Sequence, residues 1–329
     1  MIQLQLPIAF SPDALQIDPE RESQRIAEAI RRQVAALRRK GVVVGISGGV
    51  DSSVCAALCV KALGPNRVLG LLMPERDSSG DSLRLGRVLA KRLRIEPVLE
   101  DVSEVLESAG CYRRRDEAIR RVIPDYGPGW KAKIVLPNLL AADAFRLFSV
   151  VVRTPEGELR RERLPLEAYQ QCVAATNFKQ RVRKMMEYYH ADRLRYAVVG
   201  TPNRLEYDQG FFVKNGDGAA DLKPIAHLYK TQVYAVARFL EVPEEIRTQA
   251  PSTDTYSLPQ TQEEFYFALP YGQMDLLLYA YSHTVAAEKA GRALGLSTEQ
   301  VDRAYRDIVA KRRAAALLHQ RAIVLENVE

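Results

Sequence analysis

The sequence predicts an α/β protein built on a doubly wound parallel sheet, and two observations support this prediction. Short β-branched runs alternate with segments whose apolar residues recur at helical spacing, in the order strand, helix, strand, helix, strand. The first of these runs ends in a glycine-rich loop that leads directly into a helix. Such an alternation is typical of parallel strands that are joined by helical crossovers.

The predicted elements of the core follow one another closely from residue 23 onward. Residues 23–40 form an amphipathic helix, and the β-branched residues 42–46 form a buried strand. A second helix over residues 52–63 ends at Gly64 and Pro65. The remaining core elements are strands over residues 68–73, 96–99 and 195–200 and helices over residues 82–93 and 230–240.

The composition is typical of a globular protein, with 47% hydrophobic and 27% charged residues in a chain of 329. No stretch of the sequence approaches the roughly 20 apolar residues that span a bilayer. The N-terminus lacks the basic and apolar regions of a signal peptide. Four cysteines form no CxxC pair and no metal-ligand set with the four histidines. We therefore expect a cytoplasmic protein, and neither a zinc enzyme, a disulfide scaffold nor a membrane protein.

The regular alternation breaks between residues 101 and 177. Runs at 145–153 and 158–164 flank a Thr-Pro-Glu-Gly turn, which predicts a β-hairpin. From residue 111 to residue 195 the chain carries 18 lysines and arginines against 10 acidic residues. Such a basic segment suits nucleic acid, a phosphorylated small molecule or a plain solvated surface. We interpret residues 111–170 as a basic insertion within a single domain that spans residues 1–329.

The segment GISGGVDSS, residues 45–53, is the most informative part of the sequence. It follows a strand and opens a helix, so that its backbone N–H groups point toward the place where an anion binds. Asp51 would repel a phosphate, and we therefore assign it to a Mg²⁺ ion that phosphates share. The lysine of a Walker A loop is missing. The candidate phosphate-binding residues of this loop are Gly45, Ser47, Gly48, Gly49, Ser52 and Ser53.

The loop resembles that of the ATP pyrophosphatase superfamily, the N-type or PP-loop enzymes with an adenine nucleotide alpha hydrolase-like fold. That resemblance implies cleavage of ATP between its α and β phosphates. A second block, GTPNRLE at 200–206 followed by GFFVKNGDGAADL at 210–222, resembles the NAD synthetase family. The similarity extends to NFKQRVR at 177–183, to Lys230 and to the Ala-Pro-Ser-Thr run at 250–253.

The second resemblance implies an ammonia-dependent amidation of nicotinate adenine dinucleotide to NAD, with AMP and pyrophosphate as the other products. The residues that match ATP-binding positions are Ser47, Thr201, Lys230 and Ser252. The residues that match the Mg²⁺ carboxylates are Asp51 and Glu206. The residues that match the acceptor site are Arg181, Tyr188, Lys214, Asp217 and Asp221. Catalysis is accordingly assigned to Asp51, Lys230, Ser252 and Asp217.

The resemblance also implies partners. A homodimer is expected, with residues 177–188 near the subunit boundary. About 40 residues precede the loop, too few for a fused glutaminase domain, so that either free ammonia or a separate glutaminase subunit supplies the nitrogen. Neither a membrane nor a nucleic acid is expected as a partner.

Two other functions stay open at this point. Pro202 and Asn203 replace the Asp-His often found in the family, Gln249 replaces a lysine, and the stretch from 101 to 177 is long. These departures leave room for an amide ligase that acts on a different carboxylate. The basic segment also suits an RNA-modifying PP-loop enzyme, although such an enzyme does not need the GDGxxDL block. Because loops inserted in α/β cores reshape sites at strand ends, we expect the insertion to act on acceptor binding rather than on ATP chemistry.

Overall fold

The computed structural model describes residues 10–135, 148–250, 255–260, 266 and 269–326. A parallel sheet of four strands forms its centre. The strands are β1 (Val42–Gly45), β2 (Val68–Leu72), β3 (Val98–Leu99) and β7 (Ala197–Val199), and their order is β3-β2-β1-β7. Val42 is paired with both Val68 and Ala197, so that β1, β2 and β7 begin in register. The doubly wound parallel sheet predicted from the sequence is thereby confirmed.

The helices follow the predicted order within the core. The N-terminal helices are α1 (Pro19–Ala36), α2 (Val50–Leu63), α3 (Gly80–Leu93), α4 (Ser103–Ser108) and α5 (Cys111–Arg120). A long helix, α6 (Leu166–Leu194), returns the chain to β7. The helices after β7 are α7 (Arg204–Gln209), α8 (Lys230–Phe239), α9 (Glu244–Arg247), α10 (Tyr271–Ser282), α11 (Ala287–Leu294) and α12 (Thr298–His319).

The sheet buries apolar side chains on both of its faces, because successive residues of a strand point in opposite directions. Val42 and Val44 pack into a core with α1, α2, α3 and α8. Val43 points to the other face, where it packs with Val198 and with Ala191 of α6. A separate core joins α10, α11 and α12 to Leu205 of α7. Within the described ranges, no helix has the length and apolar character that would let it cross a membrane.

A second, antiparallel sheet lies in the connection between β3 and β7. Its strands are β4 (Lys131–Val135), β5 (Ser149–Arg153) and β6 (Leu159–Arg163), in that order. The β5–β6 pair is the predicted hairpin, closed by a 2.9 Å hydrogen bond from the Thr154 amide to the Glu158 carbonyl and by Gly157 at φ +95°. Residues 145–147, where the hairpin was predicted to begin, lie outside the described residues. Strand β4 was not predicted.

Candidate active site

A cavity of about 530 Å³ opens at the carboxyl ends of β1 and β7. The order of the sheet reverses between these two strands, since β2 and β3 lie on one side of β1 and β7 lies on the other. Such a switch point leaves a crevice between the loops that leave the two strands. The lining includes Gly45, Ser47, Gly48, Gly49, Asp51, Ser52, Thr201, Glu206, Asp217 and Lys230. The fold therefore brings most of the predicted site together.

The glycine loop has the backbone conformation that its sequence requires. Gly48 has φ +81°, and a Cβ atom there would lie 2.8 Å from the Ser82 carbonyl oxygen of α3. Gly49 is the N-cap of α2, so that the free N–H groups of the first turn face the cavity. Ser47 is exposed at the mouth of this turn. The loop and helix together form an anion-binding concavity.

The serines of the loop differ in whether they line the cavity, which Ser47 and Ser52 do and Ser53 does not. Ser47 lines the cavity, and its hydroxyl accepts a 3.3 Å hydrogen bond from the Gly49 amide. Ser52 and Ser53 both donate to the Gly49 carbonyl, at 3.0 and 2.8 Å. Ser53 is fully buried and is not part of the cavity lining. Its hydroxyl therefore stabilises the loop from behind, in contrast to the phosphate-binding role that we expected from the sequence.

Asp51, Glu206, Lys230 and Asn203 form a cluster at one end of the cavity, here called the Asp51 cluster. Lys230 forms an ion pair with Asp51 and is 1% exposed. Asn203 donates from its side chain to Asp51 at 3.3 Å, and from its backbone to Glu206 at 3.0 Å. Asn203 thus links the two carboxylates that were predicted to hold a metal ion. No role was predicted for Asn203 from the sequence, although Asn-x-x-Glu before a helix is the signature of a capping box.

The cluster places two carboxyl groups close to one buried ammonium group. The pKa of Glu206 is raised to about 8, mainly by burial and to a smaller extent by the negative charge of Asp51. Burial also opposes the charged form of Lys230, yet the two carboxylates raise the pKa of this lysine above its ordinary value. The ammonium group is therefore retained inside the cavity, where a polyanion would meet it.

Lys230 is held in place by the first turn of α8. Asp275 of α10 is fully buried and accepts from the backbone amides of Lys230 and Thr231, at 3.2 and 2.7 Å. Burial raises the pKa of Asp275 to about 6. This carboxylate caps the helix and fixes the position from which the lysine side chain extends. Asp275 is a supporting residue whose role sequence reasoning did not assign.

The five predicted acceptor residues are not all in the cavity. Asp217 is in the lining, and it accepts a 2.7 Å hydrogen bond from the Val213 amide. Arg181 donates to the Lys214 carbonyl at 3.3 Å, and Asp221 accepts from the Val198 amide at 2.7 Å. Burial and the charge of nearby Asp221 raise the pKa of the remaining one, Tyr188, to about 12. Apart from Asp217, the set lies outside the cavity lining.

The predicted phosphate ligand Ser252 lies outside the described residues. Ala250 and Thr255, the described residues that flank its segment, both line the cavity. No cluster of three or more potential metal ligands occurs within the ranges that the structure covers. A pair of carboxylates is nevertheless sufficient for Mg²⁺ when phosphates complete its coordination.

The chain is similar over nearly its whole length to known enzymes. The family model for NAD synthase matches residues 22–120 and 152–314. The NH(3)-dependent NAD(+) synthetase of Mesorhizobium japonicum is 58% identical over 311 residues, which cover 94% of this chain and 98% of the relative. The protein of the same name from Rhizobium meliloti is 55% identical over 322 residues, with 98% and 96% covered.

The fold is also that of a solved structure. The NMN synthetase of Francisella tularensis matches with a TM-score of 0.64 and 22% identity, over 94% of this chain and 99% of that one. The sequence matches go further than the fold, because they include the glycine loop and the 200–222 block. The chain belongs to the NAD synthase family.

Proposed function

We propose that this chain amidates nicotinate adenine dinucleotide to NAD with ammonia, and that ATP is cleaved to AMP and pyrophosphate. The observation that carries the proposal is the glycine loop with the Asp51 cluster at the switch point of the sheet. Family membership supports the same reaction. ATP is a substrate, and the loop at residues 45–49 is its phosphate-binding element.

The cavity addresses the main physical difficulty of the reaction, which is that a carboxylate must approach a polyanion. The N–H groups at the start of α2 and the Ser47 hydroxyl offer donors to the departing pyrophosphate. The Lys230 ammonium adds a positive charge that burial makes more effective than it would be in water. Once the acid is adenylated, AMP becomes a good leaving group for attack by ammonia.

The residues at the site fit a Mg²⁺ ion. Asp51 and Glu206 are two hard oxygen donors in the cavity lining, and Asn203 donates a hydrogen bond to each of them. These two carboxylates would hold the metal together with ATP phosphates. When bound, the ion would neutralise phosphate charge and stabilise the charge that develops as pyrophosphate leaves.

The acceptor is proposed to bind beside the outer face of α6, where Arg181 and Lys214 contact each other. Arg181 is exposed and Lys214 is half-buried, and neither lines the cavity. A homodimer in which residues 177–188 approach the partner would enclose this group, and two-fold dimers are the commonest assembly. Sedimentation at assay concentration tests this, and a fully active monomer would refute it.

The nitrogen donor is proposed to be free ammonia, with a separate glutaminase subunit as the other source. We place the reaction in the cytoplasm, because all four cysteines are free and buried and because ATP is consumed. Activity with ammonium chloride alone, at a rate unchanged by added glutamine, would support the free-ammonia form.

The direct test is to incubate the protein with ATP, Mg²⁺, ammonium and either the nicotinate dinucleotide or the nicotinate mononucleotide. The expected products with the dinucleotide are NAD, AMP and pyrophosphate, separated by chromatography. Preference for the mononucleotide would instead identify a ligase for a different carboxylate. ADP as the nucleotide product would contradict the mechanism with either acid.

A further inference from the structure

Residues 255–260 pair with the outer edge of β4, in the inserted sheet. The Leu258 amide donates to the Ala132 carbonyl at 3.1 Å, and the Ala132 amide donates to the Ser257 hydroxyl at 2.9 Å. Two residues along, the Gln260 side chain donates to the Ile134 carbonyl. Because β5 occupies the opposite edge of β4, these contacts satisfy backbone groups that an edge strand would otherwise expose.

An apolar anchor accompanies this pairing. Tyr256 is 6% exposed and packs into the core of the insertion with Ile134 of β4, Val152 of β5 and Cys172 of α6. A buried aromatic ring contributes a large contact area at a small cost in side-chain entropy. The segment is therefore attached to the insertion by both its backbone and its side chains.

Thr255 is fixed from a different direction by a buried ionic network, here called the Lys179 network. Lys179 of α6 is fully buried and donates to the Thr255 carbonyl at 2.8 Å. The same ammonium contacts Glu75 at 2.9 Å and Asp77 at 2.8 Å, and Arg115 of α5 also pairs with Asp77. The network joins Thr255 to the loop that follows β2, whose later residues line the nucleotide cavity.

Thr255 itself is part of the lining of that cavity, as is Ala250. Only four residues separate them, and Ser252 is among these. The contacts of the insertion thus lead to the ATP side of the site.

We propose that the inserted sheet is a positioning element for ATP: strand β4 holds residues 255–260, and through them the wall of the nucleotide cavity at Thr255. The inference rests on the proposed function for the identity of the nucleotide. It differs from the expectation, drawn from the sequence, that the insertion acts on acceptor binding. Ser257, Tyr256 and Lys179 are then positioning residues, since they act through Thr255 and its neighbours.

The test uses the double variant S257A/Q260A, which removes two hydrogen bonds to β4 and leaves the apolar anchor intact. Each lost bond weakens the attachment by roughly two- to tenfold. We therefore expect the Kd of Mg·ATP, measured by calorimetry, and the KM for ATP to rise about three- to thirtyfold. The KM for the acid, nicotinate adenine dinucleotide, should stay within about twofold of the wild-type value. The thermal midpoint, followed by circular dichroism, shows whether the variant is folded.

Two controls make the result specific. Ser257→Thr keeps the hydroxyl and should restore ATP affinity, whereas Leu159→Ala on exposed strand β6 should change neither constant. An unchanged Kd for Mg·ATP in the double variant would overturn the proposal, as would equal increases in both KM values or a rise for the acid alone. Because ATP binding is measured without any acid, this outcome is distinct from a failure of the proposed amidation.

Discussion

Two buried clusters of charged side chains flank the nucleotide cavity, and they shift the pKa of a carboxyl group in opposite directions. In the Asp51 cluster, burial and a neighbouring carboxylate raise the pKa of Glu206 to about 8. In the Lys179 network, burial opposes ionisation of Asp77, but the adjacent lysine and arginine lower its pKa below the ordinary value. The comparison indicates that the first cluster disfavours ionisation of a carboxyl group, which a bound cation such as the proposed metal ion would reverse, whereas the second satisfies its own charges and supports the fold.

The largest expected effect is the loss of kcat when a carboxylate of the Asp51 cluster is replaced. Asp51→Asn and Glu206→Gln should each lower kcat by about a thousandfold or more, because both carboxylates are proposed to hold the metal. Asp81→Asn, on an exposed carboxylate of α3, is the matched control and should be fully active. Rates are measured by AMP release over a range of Mg²⁺ concentrations. Normal activity with unchanged metal dependence would remove the metal assignment.

The second expected effect is on stability, in the Lys179 network. Lys179→Met leaves Glu75 and Asp77 buried without their shared cation, which typically costs about 3–5 kcal/mol. The free energy of unfolding in urea should fall by that amount. Removal of the solvent-exposed pair through Arg113→Ala on α5 should cost less than about 1 kcal/mol. Equal losses in the two variants would mean that the network does not support the fold.

The two clusters also differ in how far the sequence reveals them. Asp51 lies in a contiguous loop whose strand, turn and helix are all local, so that its position follows from residues 42–63 alone. Lys179 belongs to the NFKQRVR motif at residues 177–183. Its ion-pair partners, Glu75 and Asp77, lie about a hundred residues earlier in the chain. Periodicity carries no information on such contacts, because ion pairs leave no local pattern.

The same reasoning applies to the second sheet. Turn chemistry predicts the β5–β6 hairpin, since its strands are adjacent in sequence. Strand β4 pairs with β5 across a longer connection, and with residues 255–260 across more than a hundred residues.

The roles of Arg181, Tyr188, Lys214 and Asp221 came from the family resemblance, and those roles remain predictions. The insertion limits of 111 and 170 also remain predictions.

The third expected effect is a pH dependence of stability, and it extends the comparison of carboxyl pKa values to Asp275. The pKa of Asp275 is raised from 3.8 to about 6, so that between these values the native state holds a proton that the unfolded state has released. Wild-type stability should therefore fall as the pH rises from about 4 to about 6, by at most about 3 kcal/mol from this group. Asp275→Asn lacks this contribution.

Urea unfolding of both proteins at pH 4 and pH 7 measures the difference. The variant should gain relative to wild type as the pH rises, although it loses part of the cap on α8 at every pH. A constant difference between the two proteins across this range would show that Asp275 is ionised in the native state throughout. The hydrogen bonds from the Lys230 and Thr231 amides would then offset the effect of burial on its pKa.

The smallest expected effect lies outside both clusters, on the outer face of α6. Arg181 is exposed and donates to the Lys214 carbonyl, so its removal costs little stability. If the acceptor binds here, Arg181→Ala loses a charge-assisted contact to a pyrophosphate, and the KM for the acid should rise about tenfold. The KM for ATP should not change. Met185→Ala, at an exposed position one turn further along the helix, is the control. A rise in the ATP constant instead would place Arg181 with the ATP side of the cavity, and the acceptor would have to bind elsewhere.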